Sequence, residues 1–291
     1  MTLGVQVNDL RLRFGDVTAL DGLSFQLAGG KIYGLLGRNG SGKSSLPSVI
    51  AAFRQATSGQ VLVGGQPPFE NAAVMRQMCL IRESGDVYEG ERISTVLRVA
   101  GELRPGFDSG YAARLIERFG LTPRQRVQTL SRGQKSALGC VLGLAGRAPL
   151  TMFDESYLGM DAPSRYAFYD ALLADVLEHP RMVIVSTHLI EEVSTLFEDV
   201  LILDDGRLLL HEEADTLRAA GAAVTGDAAV VDAFTLGLEV LSEKTLGRTK
   251  SAMVYGPLDE KRRAQAREVG LDLDPLALQD LFVHLTSGGS R

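Results

Sequence analysis

Residues Gly37 to Ser44 read Gly-Arg-Asn-Gly-Ser-Gly-Lys-Ser, a G-x-x-x-x-G-K-S spacing that constrains both the local fold and the class of ligand. A short apolar run, Ile32-Tyr33-Gly34-Leu35-Leu36, comes directly before it and suits a buried strand. Glycines let backbone N–H groups wrap phosphates, Lys43 reaches the terminal ones, and the Ser44 hydroxyl can hold Mg2+. A helix expected to begin near Lys43 aims its positive end at the same place. Such a loop indicates an NTPase.

The rest of the chain supplies a scaffold for that loop. Residues 5–28 alternate apolar and polar, as in Leu10-Arg11-Leu12-Arg13-Phe14, which predicts half-buried strands of an antiparallel sheet. Apolar runs at 32–36, 78–81, 149–153, 182–185 and 200–203 read as buried strands separated by helices, the alternation of a mostly parallel α/β sheet. Strand signals vanish between Tyr88 and Leu121, where Ile93–Val99 and Tyr111–Phe119 have helical spacing. We therefore expect a helical subdomain inserted at about 84–145, within a main domain of residues 1–215. After the hairpin-turn sequence Asp204-Asp205-Gly206 the pattern changes, and residues 222–291 read as a small C-terminal α+β appendage.

Composition sets limits. With 291 residues, 45% of them hydrophobic, the chain suits one large domain or a domain with an appendage. A net charge of -6 lacks the basic footprint expected of a nucleic-acid binder. Cys79 and Cys140 lie in apolar surroundings without ligand-like spacing, as reduced core residues do. No basic region followed by an apolar stretch opens the chain, and no run of 18 apolar residues occurs, so a cytoplasmic location is expected.

Three further motifs follow the phosphate loop in order: Leu130-Ser131-Arg132-Gly133-Gln134, Leu150-Thr151-Met152-Phe153-Asp154-Glu155, and Ser186-Thr187-His188. Together the four resemble the nucleotide-binding subunit of an ATP-binding-cassette transporter, strongly over residues 1 to about 210 and loosely beyond. In character the chain is most similar to small-molecule and drug exporter ATPases. The resemblance implies a P-loop NTPase core with an antiparallel β subdomain and an inserted helical subdomain. ATP and Mg2+ are the implied cofactors, with Gly37, Arg38, Asn39, Gly40, Ser41, Gly42, Lys43, Ser44 and Ser45 around the phosphates. Asp154, at a strand's C-terminal edge, and Ser44 are the implied metal ligands. By resemblance, Glu155 is the general base and His188 contacts the terminal phosphate. Ser131, Gly133 and Gln134 would complete the ATP site of a second subunit, and Asp161 lies in the loop that communicates between the two sites. Phe14 stands where relatives stack an aromatic on adenine.

Several positions depart from the family pattern. Ser156 replaces the usual proline, Arg132 a glycine, and Glu83 stands where relatives carry a Gln that touches Mg2+. Glu83 remains a hard-metal ligand but adds charge beside Asp154 and Glu155; Arg132 is expected to point outward. Pro47 falls early in the helix after Lys43. The implied partners are a second ATP-binding subunit, with a homodimer expected, and a separate transmembrane permease. That permease would place the chain on the cytoplasmic face of the membrane and dock beside Ser84 to Glu91, with Tyr88 as an aromatic contact. An importer ATPase, or a cassette ATPase of translation or DNA repair, remains open as the alternative.

Overall fold

The computed structural model describes residues 3–83, 87–256 and 258–287. The chain divides into two compact units, Met1–His188 with Leu203–Leu208, and Leu189–Ile202 with Leu209–Arg291. In sequence order the first unit contains β1 (Val5–Phe14), β2 (Val17–Leu27), β3 (Ile32–Gly37), α1 (Ser45–Ile50), β4 (Ser58–Val63), α2 (Ala72–Met75) and β5 (Met78–Arg82). It continues with α3 (Ile93–Leu103), α4 (Ser109–Arg118), α5 (Arg132–Gly146), β6 (Leu150–Asp154), α6 (Ala162–Glu178) and β7 (Met182–Thr187).

Strands β2, β1 and β4 form an antiparallel sheet, in that order. The alternating pattern of residues 5–28 anticipates β1 and β2. It does not reveal β4, whose first three residues are exposed and whose apolar signal reduces to Val61-Leu62-Val63. Strands β5, β6, β7 and β3 are neighbours in a parallel sheet. Every residue of β3, β6 and β7 is buried, which is why these segments read as continuous apolar runs. Side chains such as Leu35, Phe153 and Val183 contribute about 1.5–3 kcal/mol each by leaving water. The register matters most for function: Arg82 pairs with Asp154, Asp154 with Ser186, and Leu36 with Thr187. The carboxyl ends of the strands thus finish level, with the phosphate loop starting at the end of β3.

Helices α3, α4 and α5 follow one another between β5 and β6. Asp108 caps α4 by accepting from the Tyr111 N–H, and Ser131 caps α5 in a reciprocal box with Gln134. An ion network fixes the other end of α5: Arg147 meets Asp108 at 3.1 Å and Asp175 at 3.3 Å, and Asp175 meets Arg181 at 2.5 Å. Residues 84–86, part of the expected docking segment, lie outside the described residues. Pro47 is the third residue of α1, inside its first turn, so its missing N–H interrupts nothing. Both cysteines are buried and unbridged. Desolvation raises both thiols, Cys140 to about 12, so neither is a thiolate at neutral pH.

The second unit begins with α7 (Ile190–Val193) and most of β8 (Asp199–Asp204). The Leu203–Leu208 hairpin tip belongs to the first unit, and the chain returns along β9 (Arg207–Glu213) to α8 (Ala214–Ala219). It then runs β10 (Gly221–Asp227), α9 (Ala228–Thr235), β11 (Glu239–Leu246), β12 (Thr249–Tyr255), α10 (Glu260–Glu268), β13 (Asp272–Pro275) and α11 (Leu278–Ser287). The sheet order β11-β12-β10-β13, all antiparallel, makes residues 221–275 a β-α-β-β-α-β split unit. Val224, Val231, Ala252, Val254 and Leu271 are part of its core. Residues 189–202 cluster with this unit, through α7 against α11, whereas the sequence reading ends the main domain at 215 and starts the appendage at 222.

Candidate functional site

The phosphate loop closes around its own lysine. Lys43 Nζ donates to the carbonyl oxygens of Gly37 at 2.8 Å and Arg38 at 2.9 Å, and stands 3.8 Å from Glu155 Oε1. Gly42 carries a φ of +99°, and a Cβ there would lie 2.7 Å from the Ala19 carbonyl, so only glycine fits. The hairpin tip braces the loop: Gly206 N–H donates to Ser41 O at 3.2 Å, and Asp21 N–H donates to Gly206 O at 2.8 Å. Arg207 ties the same tip to Asp21 at 2.7 Å.

The level strand ends bring two further motifs onto this loop. Ser44 Oγ donates to Asp154 Oδ1 at 3.2 Å, and Ser186 Oγ donates to the same carboxylate. His188 Nδ1 lies 3.0 Å from Glu155 Oε1. Glu155 itself holds a left-handed φ of +50°, a conformation that costs a non-glycine residue about 1–3 kcal/mol. Its N–H bonded to Ser186 O at 3.2 Å helps hold it there. Ser156, in place of the family's proline, is buried with Cys140 Sγ 3.7 Å from its hydroxyl.

Burial governs the electrostatics. Desolvation raises Asp154 above the ordinary carboxylate value, against the lowering from the Ser186 and Ser44 hydroxyls. Desolvation also lowers Lys43, against the raising by Glu155 and Asp154. Each charge is therefore held at a net cost in the free protein. Asp154 favours its proton more in the fold than in the unfolded chain. That contribution to stability is present below the unfolded carboxylate value and is lost as pH rises through the folded one. Asp154→Asn is accordingly expected to melt higher than the parent at pH 7 without nucleotide, the gap closing as pH falls toward 4. A lower melting point for the variant at pH 7 would show that the carboxylate is stabilising.

The residues fit a magnesium–triphosphate group. Ser41 Oγ is buried without a hydrogen-bond partner, leaving a polar atom for a phosphate to satisfy. Ser44 and Asp154 offer hard oxygens of the kind Mg2+ takes while completing its shell from phosphate and water. Among the described residues no group of three or more His, Cys, Asp or Glu forms an all-protein metal cage.

The remaining predicted residues lie elsewhere. Ser131 and Gln134 are engaged in capping α5, and Asp161 caps α6 by accepting from Ser164 N–H at 3.0 Å. Gly133 lies so close to Gly159 that a Cβ would stand 2.7 Å from its carbonyl. Phe14, at the end of β1, is 42% exposed with the Arg54 guanidinium 4.8 Å from its ring centroid. Glu83 follows β5, and its carboxylate is paired with Arg132. Arg132 does extend into solvent, but that ion pair was not anticipated. Sequence reasoning also missed Ser186 as a partner of Asp154, although the Ser-Thr ending of β7 carries the signal, and the bracing by Gly206, Asp21 and Arg207.

A parallel sheet with a phosphate loop at the end of one strand and an acidic pair at the end of another, one strand between them, defines a P-loop NTPase domain. Residues 20–157 match the family described as ABC transporter. It is 26% identical to the daunorubicin resistance ATP-binding protein DrrA3 of Streptomyces coeruleorubidus, over 99% of this chain and 97% of that protein. It is 27% identical to the ABC transporter ATP-binding protein YtrB of Bacillus subtilis, over 68% of each. The methionine import ATP-binding protein MetN of Rhizobium johnstonii also matches, at 28% over 70% of this chain and 59% of its own. A solved ATP-binding subunit of an ABC transporter superposes with a TM-score of 0.66 over 74% of this chain and 91% of that one; at 23% identity it speaks to the fold.

Proposed function

We propose that the chain binds and hydrolyses Mg-ATP, pairs with a second ATP-binding subunit, and drives a separate membrane permease that exports a small amphipathic molecule, drug, peptide or lipid. The observation that carries the ATPase reading is the convergence of Lys43, Ser44, Asp154, Glu155 and His188 at level strand ends. The phosphate-loop N–H groups and Lys43 hold the phosphates, with Gly37 to Ser45 as the cradle. Mg2+, held by Ser44 and Asp154, would offset charge on the phosphate oxygens. Glu155 takes the proton of the attacking water, and His188, hydrogen-bonded to it, orients that carboxylate. Ser131, Gly133 and the start of α5 supply donors to the partner subunit's nucleotide, which leaves the capping geometry in place because the Ser131 hydroxyl proton is still free to donate.

The permease reading is supported by a groove of about 790 Å³ in the first unit, lined by apolar side chains including Met75, Leu80, Val96, Val99 and Leu103. Tyr88, 74% exposed, stands at it. No helix among the described residues is long and apolar enough to cross a membrane. Export is favoured by the resistance protein that aligns with nearly the whole chain; import is the second reading, favoured by the methionine import relative.

Tagged Glu155→Gln protein, extracted from native membranes in mild detergent with ATP and Mg2+, is expected to bring down a stoichiometric multi-span protein. Ribosomal or repair proteins in its place would overturn the transport reading. Val99→Asp in the groove is expected to reduce that co-purification at least about tenfold, as a buried unpaired charge should, without changing nucleotide affinity. Equal recovery with the variant would move the docking surface elsewhere. Cargo accumulation in inverted vesicles carrying both proteins separates export from import by direction.

A further inference from the structure

Two polar groups of Ser41 are treated in opposite ways. Its hydroxyl is buried without a hydrogen-bond partner, whereas its carbonyl accepts from the Gly206 N–H at 3.2 Å. That N–H belongs to the β8–β9 turn, which is pinned by β2. Gly206 O accepts from the Asp21 N–H at 2.8 Å. The Asp21 carboxylate takes Arg207 Nε at 3.0 Å and Nη2 at 2.7 Å on one oxygen, and Arg11 on the other. The packing leaves little slack. At a φ of +75°, a Cβ on Gly206 would lie 2.9 Å from the Ala19 carbonyl oxygen, the same atom a Cβ on Gly42 would meet at 2.7 Å. Residues 19–21 of β2 thus touch both the turn and the phosphate loop.

The Arg207 hydrogen bonds, against desolvation and together with the charge of Arg11, hold the Asp21 carboxyl below its ordinary value, so it is ionised at neutral pH. Arg207 is 70% exposed, so its pair with Asp21 adds little to overall stability. Its use is geometric. A Ser41 carbonyl deprived of the turn must find another donor, and each loop N–H it recruits is lost to phosphate. We propose that Asp21 and Arg207 are positioning residues for nucleotide: their ion pair keeps the β8–β9 turn on the Ser41 carbonyl, leaving the loop N–H groups and the Ser41 hydroxyl for a phosphate. Both act through the turn rather than on the ligand. This rests on the Mg-ATP reading above.

The test measures binding of a fluorescent, non-hydrolysable ATP analogue with Mg2+ to the full chain, with melting temperature as a fold control. Asp21→Asn and Arg207→Gln are each expected to raise the dissociation constant about three- to fivefold, the scale of an exposed ion pair. The double variant should lose no more than either alone. In steady-state hydrolysis the loss should fall on KM more than on kcat, and Arg207→Lys should bind more tightly than Arg207→Gln. The sign separates positioning from bare charge. If only the field mattered, removing a carboxylate near a triphosphate site would tighten binding and removing a guanidinium would weaken it. Opposite shifts for the two variants therefore overturn the proposal. Arg207 is exposed enough that its variants should keep the fold, so the test stands even if Asp21→Asn melts early. A parent that does not bind the analogue sinks the Mg-ATP reading and the proposal with it. A parent that binds, beside folded variants that bind equally well, sinks the positioning role alone.

Discussion

Glu155→Gln is expected to lower the ATP hydrolysis rate by about 10²–10⁴-fold while leaving Mg-ATP affinity within a few-fold of the parent. The exchange is nearly isosteric at a residue whose backbone is held by Ser186 O and whose side chain lies between Lys43 and His188. Geometry survives; the capacity to take a proton does not. Phosphate release under single-turnover and steady-state conditions, beside equilibrium nucleotide binding, separates the two. If the variant turns over at the parent rate, another group accepts the proton, and His188 becomes the first candidate. If binding and turnover fall together, Glu155 acts by holding Lys43 rather than by accepting a proton. Because the amide still fits, the variant is also expected to accumulate as an ATP-bound dimer, seen by light scattering. Monomer at saturating Mg-ATP would count against the shared site.

The candidate constellation was legible because each part sits at a strand end, and strand ends in a parallel sheet announce themselves. The runs Ile32–Leu36, Leu150–Phe153 and Met182–Val185 are continuous because both faces are covered, and each is followed at once by a residue with chemistry: Gly37, Asp154, Ser186. Sequence proximity therefore stood in for spatial proximity. It could not do so for Arg132 and Glu83, 49 positions apart, or for Asp21 and Arg207, 186 apart, where nothing local marks the pairing. Ser131 and Asp161 illustrate a different limit. Each is a strong N-cap, and capping alone explains its placement. In the second unit, β10 opens Gly221-Ala222-Ala223 and β13 spans four residues, so neither carries a β-branched run, and the split β-α-β-β-α-β order surfaced only in three dimensions.

Lys43→Met is expected to weaken Mg-ATP binding by about 100-fold or more, the loss of two or more charge-assisted hydrogen bonds to phosphate. The more discriminating expectation concerns stability. Desolvation outweighs the attraction of Glu155 and Asp154 at Lys43, and it outweighs two hydroxyl donors at Asp154. The free site thus holds a cation and an anion that would each be better off in water. A methionine of similar length removes the desolvated ammonium and leaves the loop carbonyls of Gly37 and Arg38 to find other donors. The melting temperature of the nucleotide-free variant should accordingly equal or exceed the parent's. Only the parent should then rise further with saturating Mg-ATP, in proportion to its affinity. A variant that melts several degrees below the parent would mean that Lys43 chiefly supports the fold, with the loop carbonyls dependent on it. The opposite pattern would make the phosphate loop a place where stability is given up so that the triphosphate can relieve the strain on arrival.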